Sequence, residues 1–331
     1  MKKDVYSMPV FVHHETGEKK QAGRDKKQQY LKACITTAKE SENRVILFGD
    51  QTNKEWCDEW VDVKSIRSEK WTRFKSVHEN MSTYPDAWAL GIFRRFFLFE
   101  QYAIDNNISE FFVLDSDILL YEKVADLYDW ENVDFAAIIP EVQQLGNEIS
   151  NELRWTINLG TSYWTIEALS SFLDYCIDTY SNHKDLLQKK WSFHQKYKYP
   201  GGVCEMSLAY LWVNATANLR VLNLANPKSN IMLFNGDVNG RENYKRNEFA
   251  WNPFLGIKKI RFKNSKPFLK KSSGEYVRVA NLHFIGNSKL LMSDYAEKEH
   301  IGVNTRGIYV MYSIKRHGGN FYRKIRRKLK V

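Results

Sequence analysis

Two carboxylates flank one serine in Asp115-Ser116-Asp117, directly after the apolar run Phe111-Phe112-Val113-Leu114. Residues two apart in extended chain point to one side, so Asp115 and Asp117 can share a cation if that geometry persists. Carboxylate oxygens are hard ligands suited to Mg²⁺ or Mn²⁺, above all when a substrate phosphate completes the shell. Asp-x-Asp also marks turns, where Asp hydrogen-bonds its own backbone. Here Ile118-Leu119-Leu120 resumes the apolar run. That favours aspartates inside a hydrophobic segment over a solvated turn.

Such a pair needs a strand end to hold it. The patterning predicts an opening strand over 5–12, a helix over 29–39 and a second buried strand over 44–48, closed by Gly49-Asp50. The region 56–63 is ambiguous. The strongest helix spans 87–106, with Ile92, Phe93, Phe96, Phe99 and Ala103 on its apolar stripe. Strands follow over 133–139, stopped by Pro140, and over 159–164, then a helix over 166–180. Tyr199-Pro200-Gly201-Gly202 breaks the chain before a helical run over 203–212. Alternating strands and helices, then irregular mixed structure, predict an α/β fold with ligands beyond the carboxyl ends of its strands.

The 331 residues suffice for a sizeable core, and 14% aromatic content excludes a disordered chain. No apolar stretch approaches a membrane span, and Met1-Lys2-Lys3-Asp4 leads into a strand-like run without a signal-peptide core. Cys34, Cys57, Cys176 and Cys204 lack metal-type spacing and read as free thiols of a cytoplasmic protein. The net charge is +10, of which the eight Lys/Arg from Lys315 onward supply +8 and the rest of the chain +2. Phe321, Tyr322, Ile325 and Leu329 recur among those cations at spacings of three and four. On a helix this is the pattern of an interfacial segment on anionic lipid, hinged at Gly318-Gly319. A solvated basic terminus is the alternative. A nucleic-acid partner is not expected, since the body adds no broad basic excess.

An ordered set of features resembles the GT-A glycosyltransferases. A helix with Arg94-Arg95-Phe96-Phe97 precedes the Asp-x-Asp strand; Asn158-Leu159-Gly160-Thr161 and Gly202-Val203-Cys204-Glu205-Met206 follow. Late in the chain stands Asn281-Leu282-His283-Phe284-Ile285-Gly286-Asn287-Ser288-Lys289. It is similar to the His-Phe-x-Gly-x-x-Lys signature of family-8 retaining transferases, although Leu290-Leu291 stands where Pro-Trp usually follows. The arrangement also resembles sugar transferases of bacterial surface polysaccharides. The resemblance implies a GT-A (Rossmann-like), mixed, mostly parallel sheet flanked by helices, with an acceptor-side elaboration and a basic C-terminal helix. It implies one catalytic domain over 1–312, with a nucleotide-sugar half (1–125) and an acceptor half (126–312), and a tail over 313–331.

By the same resemblance, Asp115, Asp117 and His283 hold Mn²⁺ or Mg²⁺, with Asp115 also near the ribose. Lys289 places its ammonium on the donor diphosphate, and Gly286 allows close backbone approach. Arg95 is the donor-side arginine, Asp50 a candidate for nucleoside contacts, and Val12 or His13 borders the base. Glu205 orients the acceptor hydroxyl, acts as base or lies beneath the sugar, and Asn158 hydrogen-bonds the donor sugar. The implied activity is hexose transfer from a nucleotide donor, with UDP and retention preferred. The acceptor is a growing surface polysaccharide or lipid-linked glycan at the inner face of the cell membrane.

Other readings of these residues stay open. Asp50 can simply cap a turn, Asn158 cap the local backbone, Arg95 bridge to a structural carboxylate, His283 be a core histidine, and Glu205 answer the helix dipole. A haloacid-dehalogenase-type phosphatase also uses Asp-x-Asp, but normally on its first strand with Thr or Val where Leu119 stands here. A non-enzymatic carbohydrate-binding or membrane-scaffold protein accounts for the ten tryptophans.

Overall fold

The computed structural model describes residues 8–15, 24–141, 153, 155–226, 232–253 and 255–297. In chain order its first elements are Val10–His14 (β1), Arg24–Glu40 (α1), Val45–Gly49 (β2), Glu59–Asp62 (β3), Glu69–Val77 (α2) and Asp86–Asp105 (α3). Glu110–Asp115 (β4), Ile118–Leu120 (β5), Phe135–Ile138 (β6), Asn158–Thr165 (β7) and Ile166–Asn182 (α4) follow. Lys184–Tyr197 (α5), Glu205–Ala215 (α6) and Val221–Asn223 (β8) complete the main layers.

The central sheet has seven strands in the order β3-β2-β1-β4-β7-β6-β8. Neighbours are parallel except at β7, which runs antiparallel to β4 and β6. This is the expected mixed, mostly parallel α/β sheet flanked by helices. Side-chain alternation explains why both faces are covered. Phe111 and Val113 of β4 enter the core under α2, α3, α4 and α6, while Phe112 and Leu114 enter the opposite core with α1. Phe11 stacks on Phe111 with centroids 4.3 Å apart, and Phe93, Phe96, Phe97 and Phe99 bring α3 down on that layer. The long apolar stripe of α3 thus fixes where Arg95, on the same helix, meets the end of β4.

One expectation is corrected at the aspartates. They do not continue an extended segment: Ser116 and Asp117 form a turn between β4 and β5. The apolar run resumes in another sheet, where β5 pairs antiparallel with Asn281–His283. The turn is not solvated, since Asp117 is buried. The opening strand begins at Val10, and the segment 56–63 resolves into a short 3₁₀ turn followed by β3.

The second half is more regular than the sequence suggests. Trp251–Asn252 (β9) pairs with Ile257–Lys258 (β10). Ile260–Lys263 (β11), Lys266–Lys270 (β12) and Tyr276–Arg278 (β13) form an antiparallel ribbon, and Asn281–His283 is β14. Met292–Ala296 (α7) packs beside α1. The basic tail lies outside the described residues. No helix among the described residues is long and apolar enough to cross a membrane, and all four cysteines are free thiols.

Candidate functional site

Strand pairing assembles the centre. The β5–β14 register sets His283 opposite Ile118, beside Asp117. Ligand atoms of Asp115, Asp117 and His283 all lie within 4.8 Å of one another. The His283 Nδ1 bonds the Gly236 carbonyl oxygen at 2.7 Å, where it must donate, so Nε2 is the nitrogen turned toward the carboxylates. Nε2 stands 3.3 Å from Asp117 Oδ1, and Lys289 Nζ 2.8 Å from Asp117 Oδ2.

Burial opposes charge on Asp117, yet the cations of His283 and Lys289 hold its carboxyl well below the usual range. Burial likewise opposes charge on His283, but the Asp117 carboxylate, helped by Asp115 and Asp237, raises its pKa. Two basic groups, His283 buried and Lys289 half-buried, thus converge on one carboxylate. A hard divalent cation between Asp115, Asp117 and His283 satisfies the same donor set and leaves Lys289 for a phosphate.

Asp115 faces a different environment. Arg95 Nη1 donates to Asp115 Oδ1, and Arg95 Nη2 lies 3.5 Å from Glu205 Oε1. The guanidinium therefore bridges the end of β4 to the first residue of α6. Glu205 is buried, and burial raises its pKa against the opposing pull of Arg95. Glu205 Oε2 and Arg95 Nε are buried without a hydrogen-bond partner. Such unsatisfied buried groups are uncommon, and these two stand in the charged cluster beside Asp115.

Glycines set the clearances. A Cβ on Gly160 would lie 2.5 Å from Asp115 Oδ2, so only glycine lets the carboxylate lie against β7. Gly202, at φ +142°, crosses Met81 and Ser82 so closely that a Cβ would meet the Met81 carbonyl oxygen at 2.4 Å. Val203 N–H donates to that carbonyl at 2.8 Å. This crossing sets the start of α6, and with it Glu205, against the segment leading into α3.

The remaining expected residues fall around this centre. Asn158 donates from Nδ2 to the Gly236 carbonyl at 3.0 Å and accepts the Gly160 N–H at 2.9 Å, which braces the backbone beside Asp115. Gly286 has φ +58°, with open space where a Cβ would point. Asp50 lies past the end of β2 and accepts the Thr52 N–H at 2.9 Å in a local turn; it is not among the clustered ligands, though its charge reaches His14. His13 pairs with Glu15 at 3.0 Å and lines a cleft of about 800 Å³ with Trp71, Lys75, Trp88, Arg94 and Arg95.

Three participants escape a sequence reading. His14 Nδ1 lies 3.1 Å from Ser116 Oγ, and burial with neighbouring His13 pushes its pKa down to about 4. Tyr30 of α1 packs edge-on against His14 and lies under Lys289 Nζ, 5.0 Å from its ring centroid. The Gly236 carbonyl gathers His283 and Asn158. Gly160, by contrast, carries a signal as part of the Asn158-Leu159-Gly160-Thr161 run, whereas a carbonyl's aim carries none.

No protein-family model matches the chain, and no curated protein sequence does. Among solved structures it is similar to the galactosyltransferase LgtC in complex with donor and acceptor sugar analogues. That match has a TM-score of 0.43 and 11% identity over 91% of this chain and 99% of the other. It is also similar to mouse xyloside xylosyltransferase 1, with a TM-score of 0.42 and 12% identity over 66% of this chain and 86% of the other. A third similarity is to the glycosyltransferase GlyE of Streptococcus pneumoniae TIGR4, with a TM-score of 0.34 and 13% identity over 66% and 46%.

Proposed function

We propose that this protein is a metal-dependent glycosyltransferase that moves a hexose from a nucleotide-diphosphate donor, UDP-linked by preference, to a growing surface polysaccharide or lipid-linked glycan. The observation that carries this reading is the convergence of Asp115, Asp117 and His283 within 4.8 Å, with Lys289 beside them on Asp117. Asp117, His283 and Asp115 would hold Mn²⁺ or Mg²⁺, which when bound offsets charge on the departing diphosphate. Lys289 is freed from Asp117 to contact that diphosphate, and the open side of Gly286 admits it close to backbone. Arg95 fixes Asp115 and Glu205 at the sugar end. Glu205 faces the sugar or the acceptor hydroxyl, and Asn158 holds the backbone beneath the donor. Asp50 and His13 border the nucleoside. Retention is the preferred stereochemistry, and NMR of the product's anomeric configuration against the donor tests it.

The domain spans 1–312. The tail over 313–331 brings this cytoplasmic protein to an anionic membrane at its inner face, near lipid-linked acceptor. The central test is calorimetric titration with UDP. Wild type should bind at least tenfold more tightly with Mn²⁺ than with EDTA, and Asp117→Ala should lose that difference. Nucleotide binding indifferent to metal in the wild type would sink the reading.

A further inference from the structure

The β11–β12–β13 ribbon sorts its residues by face. Arg261 pairs with Phe268, Lys263 with Lys266, Phe268 with Arg278 and Lys270 with Tyr276. Cross-strand partners share a face, so Arg261, Lys263, Lys266, Lys270 and Arg278 stand together with Phe268 and Tyr276. The opposite face, with Ile260, Phe262, Pro267, Leu269 and Val277, packs on the core. The outward face carries no acid from the ribbon itself. Glu122, buried at its edge, takes Arg278 at 2.5 Å and Lys266 at 3.1 Å. Lys263 and Lys266 sit directly opposite, an arrangement that costs stability.

The cations are preset. Arg261 lies flat over Tyr276, 3.6 Å from its ring centroid, and Lys270 flanks the same ring at 5.8 Å. A guanidinium stacked on an aromatic face keeps its N–H edge donors directed outward, where they fit phosphate oxygens. The charge is also localised. The ribbon over 260–278 holds six Lys/Arg and one acid, a net +5; with the tail's +8 set apart, the total of +10 leaves −3 on the rest of the chain. A polyanion that wraps the protein would meet that negative remainder, whereas a planar anionic surface meets only the ribbon and what lies beside it.

We propose that the outer face of the β11–β12–β13 ribbon docks on the anionic phospholipid headgroups of a bilayer, as a second contact distinct from the basic tail. Arg261, Lys263 and Lys270 meet phosphates, and Phe268 and Tyr276 sit at headgroup level. The buried link Val279-Ala280 joins the ribbon to β14. His283 follows Arg278 by five residues, a span of at most about 17 Å in extended chain. Docking therefore holds the candidate metal centre at a fixed short height above the lipid.

The test uses full-length protein and no sugar donor, so its outcome is separate from that of the transferase reading. In one chain the tail is neutralised by Lys315→Gln, Arg316→Gln, Arg323→Gln, Lys324→Gln, Arg326→Gln, Arg327→Gln, Lys328→Gln and Lys330→Gln. In a second, Arg261→Gln, Lys263→Gln and Lys270→Gln are added. Flotation with phosphatidylcholine vesicles containing phosphatidylglycerol should show the tail-neutralised chain still bound. Adding the ribbon changes should weaken binding about 100-fold, near fivefold per cation. Pure phosphatidylcholine should bind neither. If the triple change unfolds the chain by circular dichroism, Lys263→Gln alone should still cost about fivefold. Unchanged vesicle binding after ribbon neutralisation overturns the proposal, as does tighter binding of a duplex oligonucleotide than of vesicles at equal salt.

Discussion

The two aspartates of one short turn sit in opposite kinds of site. Asp117 lies in the turn at the head of β5 and is answered by His283, a titratable ligand, and Lys289, a half-exposed cation on a flexible stem. Asp115 lies at the end of the main sheet and is answered by Arg95, a largely covered and permanently charged fork that also reaches Glu205. The first set can exchange its counter-charges for a metal and a phosphate. The second cannot give up its cation without stranding the buried Glu205 and the partly exposed Asp115. One half of the site is built to be exchanged, and the other to hold still.

That contrast breaks most visibly when the cations are removed. Arg95→Met should lower folding stability by about 3–5 kcal/mol, because Asp115 and Glu205 lose a shared, largely covered partner. Lys289→Met should change stability by less than about 1 kcal/mol, since half-exposed pairs contribute little. Its effect should appear in donor binding, weakened at least tenfold. Urea unfolding beside UDP titration separates the two, and equal stability losses would erase the contrast.

The glycines sharpen it with a smaller effect. Gly160→Ala forces the new methyl against Asp115, so turnover should fall about 100-fold for a displacement near 1 Å, with about 1–3 kcal/mol of overpacking. Gly286→Ala meets no protein atom. It should cost about 1 kcal/mol for its left-handed backbone and act mainly by raising the donor KM. Paired kcat and KM measurements on the two variants decide this.

The smallest effect is in pH. His14 and His283 flank the same turn, with pKa values moved apart: His14 down to about 4, His283 up. A histidine whose folded pKa is depressed costs stability as pH falls from about 6.5 toward 4, because the unfolded chain binds the proton more readily. His283 has the opposite sign: its contribution is present below about 6.5 and is lost as pH rises through its elevated folded value. In EDTA, His14→Gln should flatten the decline in urea midpoint between pH 6.5 and 4.5, and His283→Gln the decline above 6.5. Parallel curves for both variants would refute the opposed shifts.

Much of the frame was legible along the chain. The buried strands at Val45–Gly49, Glu110–Asp115 and Asn158–Thr165, and the helix Asp86–Asp105, follow from apolar periodicity, which is local information. The ribbon was missed because its short alternating strands are crowded with lysines, and charge masks a period of two. Its cations also refine the charge reading, since the nearly neutral body divides into a ribbon of +5 and a remainder of −3.

By itself the sequence determined that a carboxylate pair ends a buried strand, that Arg95 rides a helix anchored by phenylalanines, and that His283 and Lys289 stand close enough in the chain to act together. It did not determine that they meet. Ser116 and Asp117 turn β5 out of the main sheet to pair with β14, and only this brings His283 to Asp117. Only the Gly202 crossing sets Glu205 within reach of Arg95. Local patterning reports which way a side chain faces within its own element. Which element it then faces depends on long-range pairing, settled by the packing of the whole core.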